Sequence, residues 1–340
     1  MPHRVELVPS AVTFEVEEEE SILDAALRSG ISLPYGCRGG HCGACVSRLV
    51  EGSVSYPGSL PEALAESRPG SHECAPCLAR PEGPVRLAAE PLDTVADIPV
   101  RTLPARVEHM ERLAPDVMAL YLKLPEAERL KFLAGQYIEV LMKNGEARAF
   151  SLANAPDKDA TLELHVRHVT GGDFSERVFT TMKEKTVLRL RGPKGSFVPR
   201  ENDRSMVFMA GGTGFAPIKA LVEYFLSKQG HRDMWIYWGA RARADLYMED
   251  LPLHWSADHA NVHFVPVLSG PGIDTDWDGR TGFVHEAIAA DFPDMSGLDV
   301  YAGGPPVMVH AGREAFIERG LPVEHFYSDA FEYAHQAHKP

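Results

Sequence analysis

Apolar and polar positions alternate from the start of the chain. Val5, Leu7, Val12, Phe14 and Val16 share one face of two extended segments broken at Pro9 and Ser10, the period-two pattern of a β-hairpin. The period then changes. Ile22, Ala25, Ala26 and Leu27 form one apolar helical face, with Ser21 as N-cap, Asp24 three residues on and Gly30 as the stop signal. From 105 to about 200 the apolar segments are short and turn-rich, at 117–124, 137–142, 162–169 and 187–190, which predicts an antiparallel barrel. Beyond residue 200 buried strands are expected at 206–210, 235–238, 263–268 and 300–302. Ile218, Leu221, Val222 and Phe225 mark one helix between them, and Met308, Ala311 and Ala315 mark another that starts at Pro306. Strands alternating with helices predict a parallel sheet covered on its faces.

Pro91, Pro99 and Pro104 interrupt the pattern where the first texture gives way to the second, as an interdomain linker would. The expected organisation is therefore 1–92, a linker at 93–103, a barrel at 104–200 and an α/β domain at 201–340. A chain of 340 residues is too long for one ordinary core. Its 44% apolar and 24% charged residues are globular usage. No stretch reaches the ~20 apolar residues of a membrane span, and Met1 to Val5 open no signal-peptide core, so no membrane partner and a cytoplasmic location are expected. The net charge of −14 argues against nucleic acid and suits steering toward a basic patch on a protein partner. Glu17 to Glu20 reads as a solvated acidic run ahead of the first helix.

Composition matters most in the cysteines. All five lie between Cys37 and Cys77, and an odd number so crowded favours metal ligation over a disulfide framework. Cys37, Cys42 and Cys45 have the Cys-x4-Cys-x2-Cys spacing of plant-type ferredoxins. Gly36, Gly39, Gly40 and Gly43 let the backbone wrap closely around inorganic sulfide. Spacing leaves Cys74 or Cys77 as the fourth ligand. Cys77-Leu78-Ala79-Arg80-Pro81 resembles the Cys-x3-Pro segment that carries the last ligand of ferredoxin domains, which implies Cys77 and leaves Cys74 a spare thiol. The competing reading is a structural zinc site, against which stands the glycine-rich x4 loop. His41 is expected to be an exposed loop residue rather than a ligand.

Arg148-Ala149-Phe150-Ser151 ends a predicted strand. Here the chain resembles the ferredoxin-NADP reductase superfamily, whose flavin motif is Arg-x-Tyr/Phe-Ser/Thr. The resemblance implies that Arg148 pairs with a flavin phosphate, Phe150 stacks on the isoalloxazine and Ser151 hydrogen-bonds near N5. A guanidinium suits phosphate, and an aromatic face excludes water. His165-Val166-Arg167 follows and leads through Gly171-Gly172 to an expected helix start at Ser175, whose hydroxyl cap would favour the FAD pyrophosphate. His165 and His168 do not share a strand face, so a metal role is not expected of them. Gly211-Gly212-Thr213-Gly214-Phe215-Ala216-Pro217 links a buried strand to a helix, and the family uses this pattern for the nicotinamide nucleotide.

Gly303-Gly304-Pro305-Pro306 matches the family's Cys-Gly-Pro-Pro motif with Gly303 in place of cysteine. In relatives that thiol lies beside the nicotinamide, so its absence puts hydride-transfer geometry in question. Phe331 is a candidate for the carboxy-terminal aromatic near the flavin. Arg241 and Arg243 would suit the 2′-phosphate of NADPH. Their surroundings, from Trp238 to Tyr247, nevertheless resemble NADH-using oxygenase reductases.

The resemblance covers nearly the whole chain. It implies a multidomain α+β and α/β protein: a β-grasp 2Fe-2S ferredoxin domain, an antiparallel flavin-binding β-barrel and a parallel-sheet nicotinamide-binding domain. The implied activity takes hydride from NADH onto FAD and passes single electrons through the cluster to an oxygenase component or a separate ferredoxin. An electron donor to an iron-sulfur dehydratase of deoxysugar synthesis is the nearer alternative. A noncatalytic zinc-binding scaffold is the more distant one.

Overall fold

The computed structural model describes residues 2–65, 72–92, 95, 98–270 and 276–331. The chain folds as two compact units: Met1–Pro99 with Gly195–Phe197 and Ser328–Ala330, and Val100–Lys194 with Val198–Tyr327 and Phe331–Pro340.

The first unit holds strands β1 (His3–Val8), β2 (Thr13–Val16), β3 (Ser47–Glu51), β4 (Val54–Ser55), β5 (Glu73–Cys74), β6 (Arg80–Pro81) and β7 (Val85–Ala88). Its main sheet runs β2-β1-β7-β3-β5. β1 and β7 are parallel and the other pairs antiparallel, which is the β-grasp pattern expected. The Ile22–Arg28 helix packs Ile22, Leu23, Ala25 and Ala26 into the core with Val5, Leu7 and Val16. Ser21 caps it, accepting from Asp24 N–H at 3.1 Å. The acidic run is not merely solvated, since Glu20 pairs with Arg28 at 2.7 Å and Glu19 with Arg80 at 2.5 Å.

In the second unit β8 (Arg101–Ala114), β9 (Val117–Lys123), β10 (Tyr137–Leu141), β11 (Ala147–Ser151), β12 (Leu162–Arg167) and β13 (Val187–Lys194) form an antiparallel sheet in the order β11-β10-β13-β8-β9-β12. A Leu152–Leu164 bridge joins its two edges. Val107, Leu120, Ile138, Leu164 and Val166 fill the interior. β8 begins before the expected barrel boundary, so the end of the expected linker is strand. Pro104 did not stop it because that part of β8 pairs with β13 alone, β9 joining only from Arg106. Residues 93, 94, 96 and 97 of the expected linker lie outside the described residues.

β14 (Ser205–Gly211), β15 (Met234–Ala240), β16 (Val262–Leu268), β17 (Arg280–Thr281) and β18 (Leu298–Gly304) are parallel, in the order β17-β16-β15-β14-β18. The chain leaves β14 in one direction and returns to its other side with β18. The carboxy ends of these two strands therefore flank a topological switch point, where open α/β sheets bind ligands. Helices Phe215–Ser227 and Pro306–Ile317 start there. Among the described residues no helix is long and apolar enough to cross a membrane.

Candidate functional site

The cysteine loop is assembled by the first helix as much as by its own glycines. Ile22 and Leu23 N–H groups, unused at the helix start, donate at 2.9 Å to the carbonyls of Ala79 and Pro76. These carbonyls bracket Cys77, so the helix end that needs partners fixes the segment carrying the distant thiol. Gly40 turns with φ +83°, and a Cβ there would lie 2.6 Å from Leu78 Cδ1. Only glycine meets both demands.

Within this frame the thiols associate two by two. Cys42 hydrogen-bonds to Cys37, which pulls the Cys37 thiol down against the opposing effect of burial. Cys45 likewise hydrogen-bonds to Cys77 and pulls its thiol down. Backbone N–H groups of Gly39 and Cys42 point at Cys37 Sγ, at 3.3 and 3.4 Å, and that of Cys37 at Cys42 Sγ, at 3.3 Å. The set favours thiolate at Cys37 and Cys77, while their partners Cys42 and Cys45 are pushed up by those same contacts and by burial. Among the described residues no three His, Cys, Asp or Glu side chains are grouped to hold one ion. The thiols also act across these pairs, Cys42 raising Cys45 and Cys37 opposing the Cys77 thiolate, so all four stand around one site, as a 2Fe-2S cluster needs. Cys74 differs: it is buried in strand β5 within the core, and burial pushes its thiol up to about 12. His41 is partly exposed and pairs with Glu62 at 2.9 Å.

The flavin-motif residues occupy the end of β11 and the stretch after β12. Arg148 is half-buried and pairs with Glu146 at 2.6 Å. Ala149 is exposed, Phe150 packs on Phe174 at 5.0 Å, and Ser151 is buried opposite Tyr137. A flavin phosphate would replace Glu146 as the partner of a guanidinium that already faces outward. Val166 points into the barrel core, which leaves only its backbone for a ligand.

One expectation here needs correction. The helix runs Asp173–Thr180 with Gly172 at its N-cap and no side-chain cap. Ser175 lies inside it and turns its hydroxyl back to Val169 and Gly172 carbonyls, at 3.1 Å each. The cap was misplaced because the Gly171-Gly172 turn is tight enough to start the helix earlier. The His165 side chain is turned inward, which leaves its backbone, like that of Val166, for a ligand. That side chain is 0% exposed, between Glu163 at 2.8 Å and Tyr247 at 2.9 Å.

At the nicotinamide motif the glycines are required by close approach. A Cβ on Gly214 would stand 2.0 Å from the carbonyl oxygen of Gly303, and one on Gly303 would stand 2.7 Å from the carbonyl oxygen of Gly214. The two turns touch backbone to backbone. Gly303 is thus a packing requirement in this chain, and the family's cysteine would not fit without moving the opposite turn. Gly211 lies under Met308 and Pro305, and Thr213, Ala216 and Pro217 are buried at the start of the Phe215–Ser227 helix. Phe331 N–H donates to Gly304 O at 2.9 Å, bringing the carboxy-terminal aromatic to this turn.

The flavin and nicotinamide segments meet here. Arg167, held by Asp116 at 2.7 Å, places Nη1 2.8 Å from where a Gly212 Cβ would be. Arg241 is exposed on the loop after β15, and Arg243 pairs with Glu249 at 2.9 Å. Lys219 and Glu163, buried around these motifs, and the half-buried Glu223 and Tyr247 beside them were not expected. A lysine inside the apolar run 215–222 was the signal available for them.

The three segments match three known domain families. A 2Fe-2S iron-sulfur cluster binding domain matches residues 5–82, an oxidoreductase FAD-binding domain 104–198 and an oxidoreductase NAD-binding domain 208–314. The CDP-6-deoxy-L-threo-D-glycero-4-hexulose-3-dehydrase reductase of Yersinia pestis is 39% identical over 97% of this chain and 99% of its own. The phenol hydroxylase P5 protein of Acinetobacter pittii (strain PHEA-2) is 33% identical over 97% of this chain and 96% of its own. Among solved structures, the Amycolatopsis cytochrome P450 reductase GcoB superposes with a TM-score of 0.74 at 31% identity, covering 97% of this chain and 98% of its own. With a glycine-rich cysteine loop and two nucleotide motifs meeting at a switch point, the chain belongs to the family of oxidoreductases that join 2Fe-2S, FAD and NAD domains in one electron-transfer reductase.

Proposed function

We propose that the chain oxidises NADH and hands single electrons to a separate protein through a 2Fe-2S cluster held by Cys37, Cys42, Cys45 and Cys77. The observation that carries this reading is the cysteine loop itself, with backbone N–H groups aimed at Cys37 and Cys42 Sγ and the Cys77 segment tied to the first helix, on a chain that also carries both nucleotide motifs. Bound FAD would supply the conversion of a two-electron hydride into single electrons, and the cluster would supply one-electron transfer. The chain's own groups supply the rest. Arg148 holds a phosphate, Phe150 covers a ring face and Ser151 offers a hydroxyl at the strand end. The 211–217 turn brings backbone and a helix start to a pyrophosphate. The four cysteines would hold the cluster as thiolates, with backbone N–H groups aimed at Cys37 and Cys42 Sγ to offset its negative charge. Arg243 is occupied by Glu249, which supports NADH over NADPH.

For the acceptor, identity reverses the order expected from the motifs. The 39% match to a dehydrase reductase favours an iron-sulfur dehydratase of nucleotide-deoxysugar chemistry, ahead of an oxygenase component at 33%. The test is NADH-driven turnover of each purified acceptor, with the visible spectrum recorded. Combined flavin and iron-sulfur bands with preferential turnover of the dehydratase are expected. A colourless, zinc-containing protein would sink the redox reading, and preferential oxygenase turnover would reverse the acceptor.

A further inference from the structure

A polar chain with a buried centre runs between β12 and the Phe215–Ser227 helix. Lys219, 5% exposed, donates to Ala153 O and to Glu163 Oε2, each at 2.9 Å, and lies 3.3 Å from Glu223 Oε1. Two of its N–H bonds are thus spent on acceptors, and Glu223 adds an ion-pair contact. Glu163 Oε1 lies 2.8 Å from His165 Nε2, and His165 Nδ1 lies 2.9 Å from the Tyr247 hydroxyl. An ionised carboxylate only accepts, so Nε2 carries the proton and Nδ1 takes the hydrogen of Tyr247. Burial and the Lys219 charge hold His165 below its usual pKa, and so neutral, although Glu163 opposes them.

Beyond Tyr247 the chain continues through aromatic rings. Tyr247 stands edge-on to Trp238 at 5.0 Å, and Phe215 stacks flat on Trp238 at 3.9 Å. Trp238 Nε1 donates to Gly212 O at 3.2 Å. At the other end Glu223 accepts from Ala155 N at 3.2 Å and pairs with Lys158 at 3.0 Å. One end of the network thus grips the segment directly after Arg148–Ser151, and the other grips the Gly211–Gly214 turn.

We propose that Lys219, Glu163, His165 and Tyr247 form a positioning device that fixes the flavin strand end and the nicotinamide turn in one register, setting how the two nucleotides meet. The inference rests on the reading of those two motifs as flavin and nicotinamide sites. Its physical motive is that buried ion pairs are poor sources of stability, and apolar residues of similar volume replace them at little or no cost. A satisfied buried network that ends on both site turns supplies geometry.

The test compares FAD-loaded wild type with Tyr247→Phe and with the apolar replacement Glu163→Met/Lys219→Met. Four quantities are read: flavin per protein, the Kd for NAD+, the long-wavelength charge-transfer absorbance on mixing with NADH, and the hydride-transfer rate per bound flavin in stopped flow. Flavin content and Kd should stay within about threefold of wild type, while hydride transfer falls about tenfold or more in the double variant and about threefold in Tyr247→Phe, because small misplacements of reacting groups cost rate steeply. The charge-transfer band should weaken in parallel. An unchanged rate and band per bound flavin, with only a lower melting temperature, would overturn the proposal and leave the network a fold support. If the double variant does not fold, Tyr247→Phe decides on the same criteria. A wild type that binds neither nucleotide would sink the site reading, and this inference with it, which the variants alone cannot do.

Discussion

At single positions, two thiols three residues apart have opposite chemistry. Cys77 faces Cys45, which favours its thiolate, whereas Cys74 is buried in β5 beside Glu73, and burial first and then the neighbouring charges keep it protonated. Cys77→Ser should lose or greatly alter the iron-sulfur absorbance and EPR signal, while Cys74→Ser retains both; the reverse pattern would exchange their roles. Gly303 is the other informative position. From the family motif alone, Gly303→Cys should restore a missing thiol and speed flavin reduction. The contact with Gly214 O reverses that expectation. The added Cβ should cost about 1–3 kcal/mol by overpacking and weaken nucleotide binding, read as a lower melting temperature and a raised Kd for NAD+. A variant with wild-type stability and faster reduction would show that the turn yields after all.

At the level of elements, β12 carries a pH dependence. The folded state keeps both His165 and Glu163 below their ordinary pKa values, 6.5 and 4.5, His165 through burial first and Glu163 through His165 and Lys219 against burial. Unfolded, each group binds its proton at a higher pH than when folded. The stabilisation is therefore complete above about pH 6.5 and is lost as pH falls, first through the histidine and then through the carboxylate. Each unmatched proton costs up to about 1.4 kcal/mol per pH unit. The melting temperature of the apoprotein should fall from pH 7 to pH 5, and less steeply in His165→Gln. Equal slopes in the two proteins would assign the acid sensitivity elsewhere. The same strand shows what periodicity conveys. Alternation identified β12 and separated the environments of His165 and His168, but it did not reveal that Glu163 and His165 share their buried face with a lysine from another element. Ser175 was misplaced for a related reason, because the Gly171-Gly172 turn had to be known before the first helical residue could be.

Across the whole molecule, the change from period two to alternating strand and helix was enough to predict an antiparallel barrel followed by a parallel sheet, and the cysteine spacing pointed to a 2Fe-2S domain, while the β-grasp form and the choice of Cys77 came from the family resemblance. Pairwise packing was not readable in this way. The backbone contact between Gly214 and Gly303 joins residues far apart in sequence, and each glycine alone could have been an ordinary turn residue. That contact has a bearing on how nucleotide preference can change. Where two peptide planes meet without side chains, there is no surface on which substitution can discriminate one dinucleotide from another. Selection between NADH and NADPH has to be written into the loop after β15, around Arg241 and the Arg243–Glu249 pair, where side chains are exposed and free to vary. Redesign of coenzyme use should therefore begin at Glu249, whose removal frees a guanidinium, and leave the glycine turns untouched.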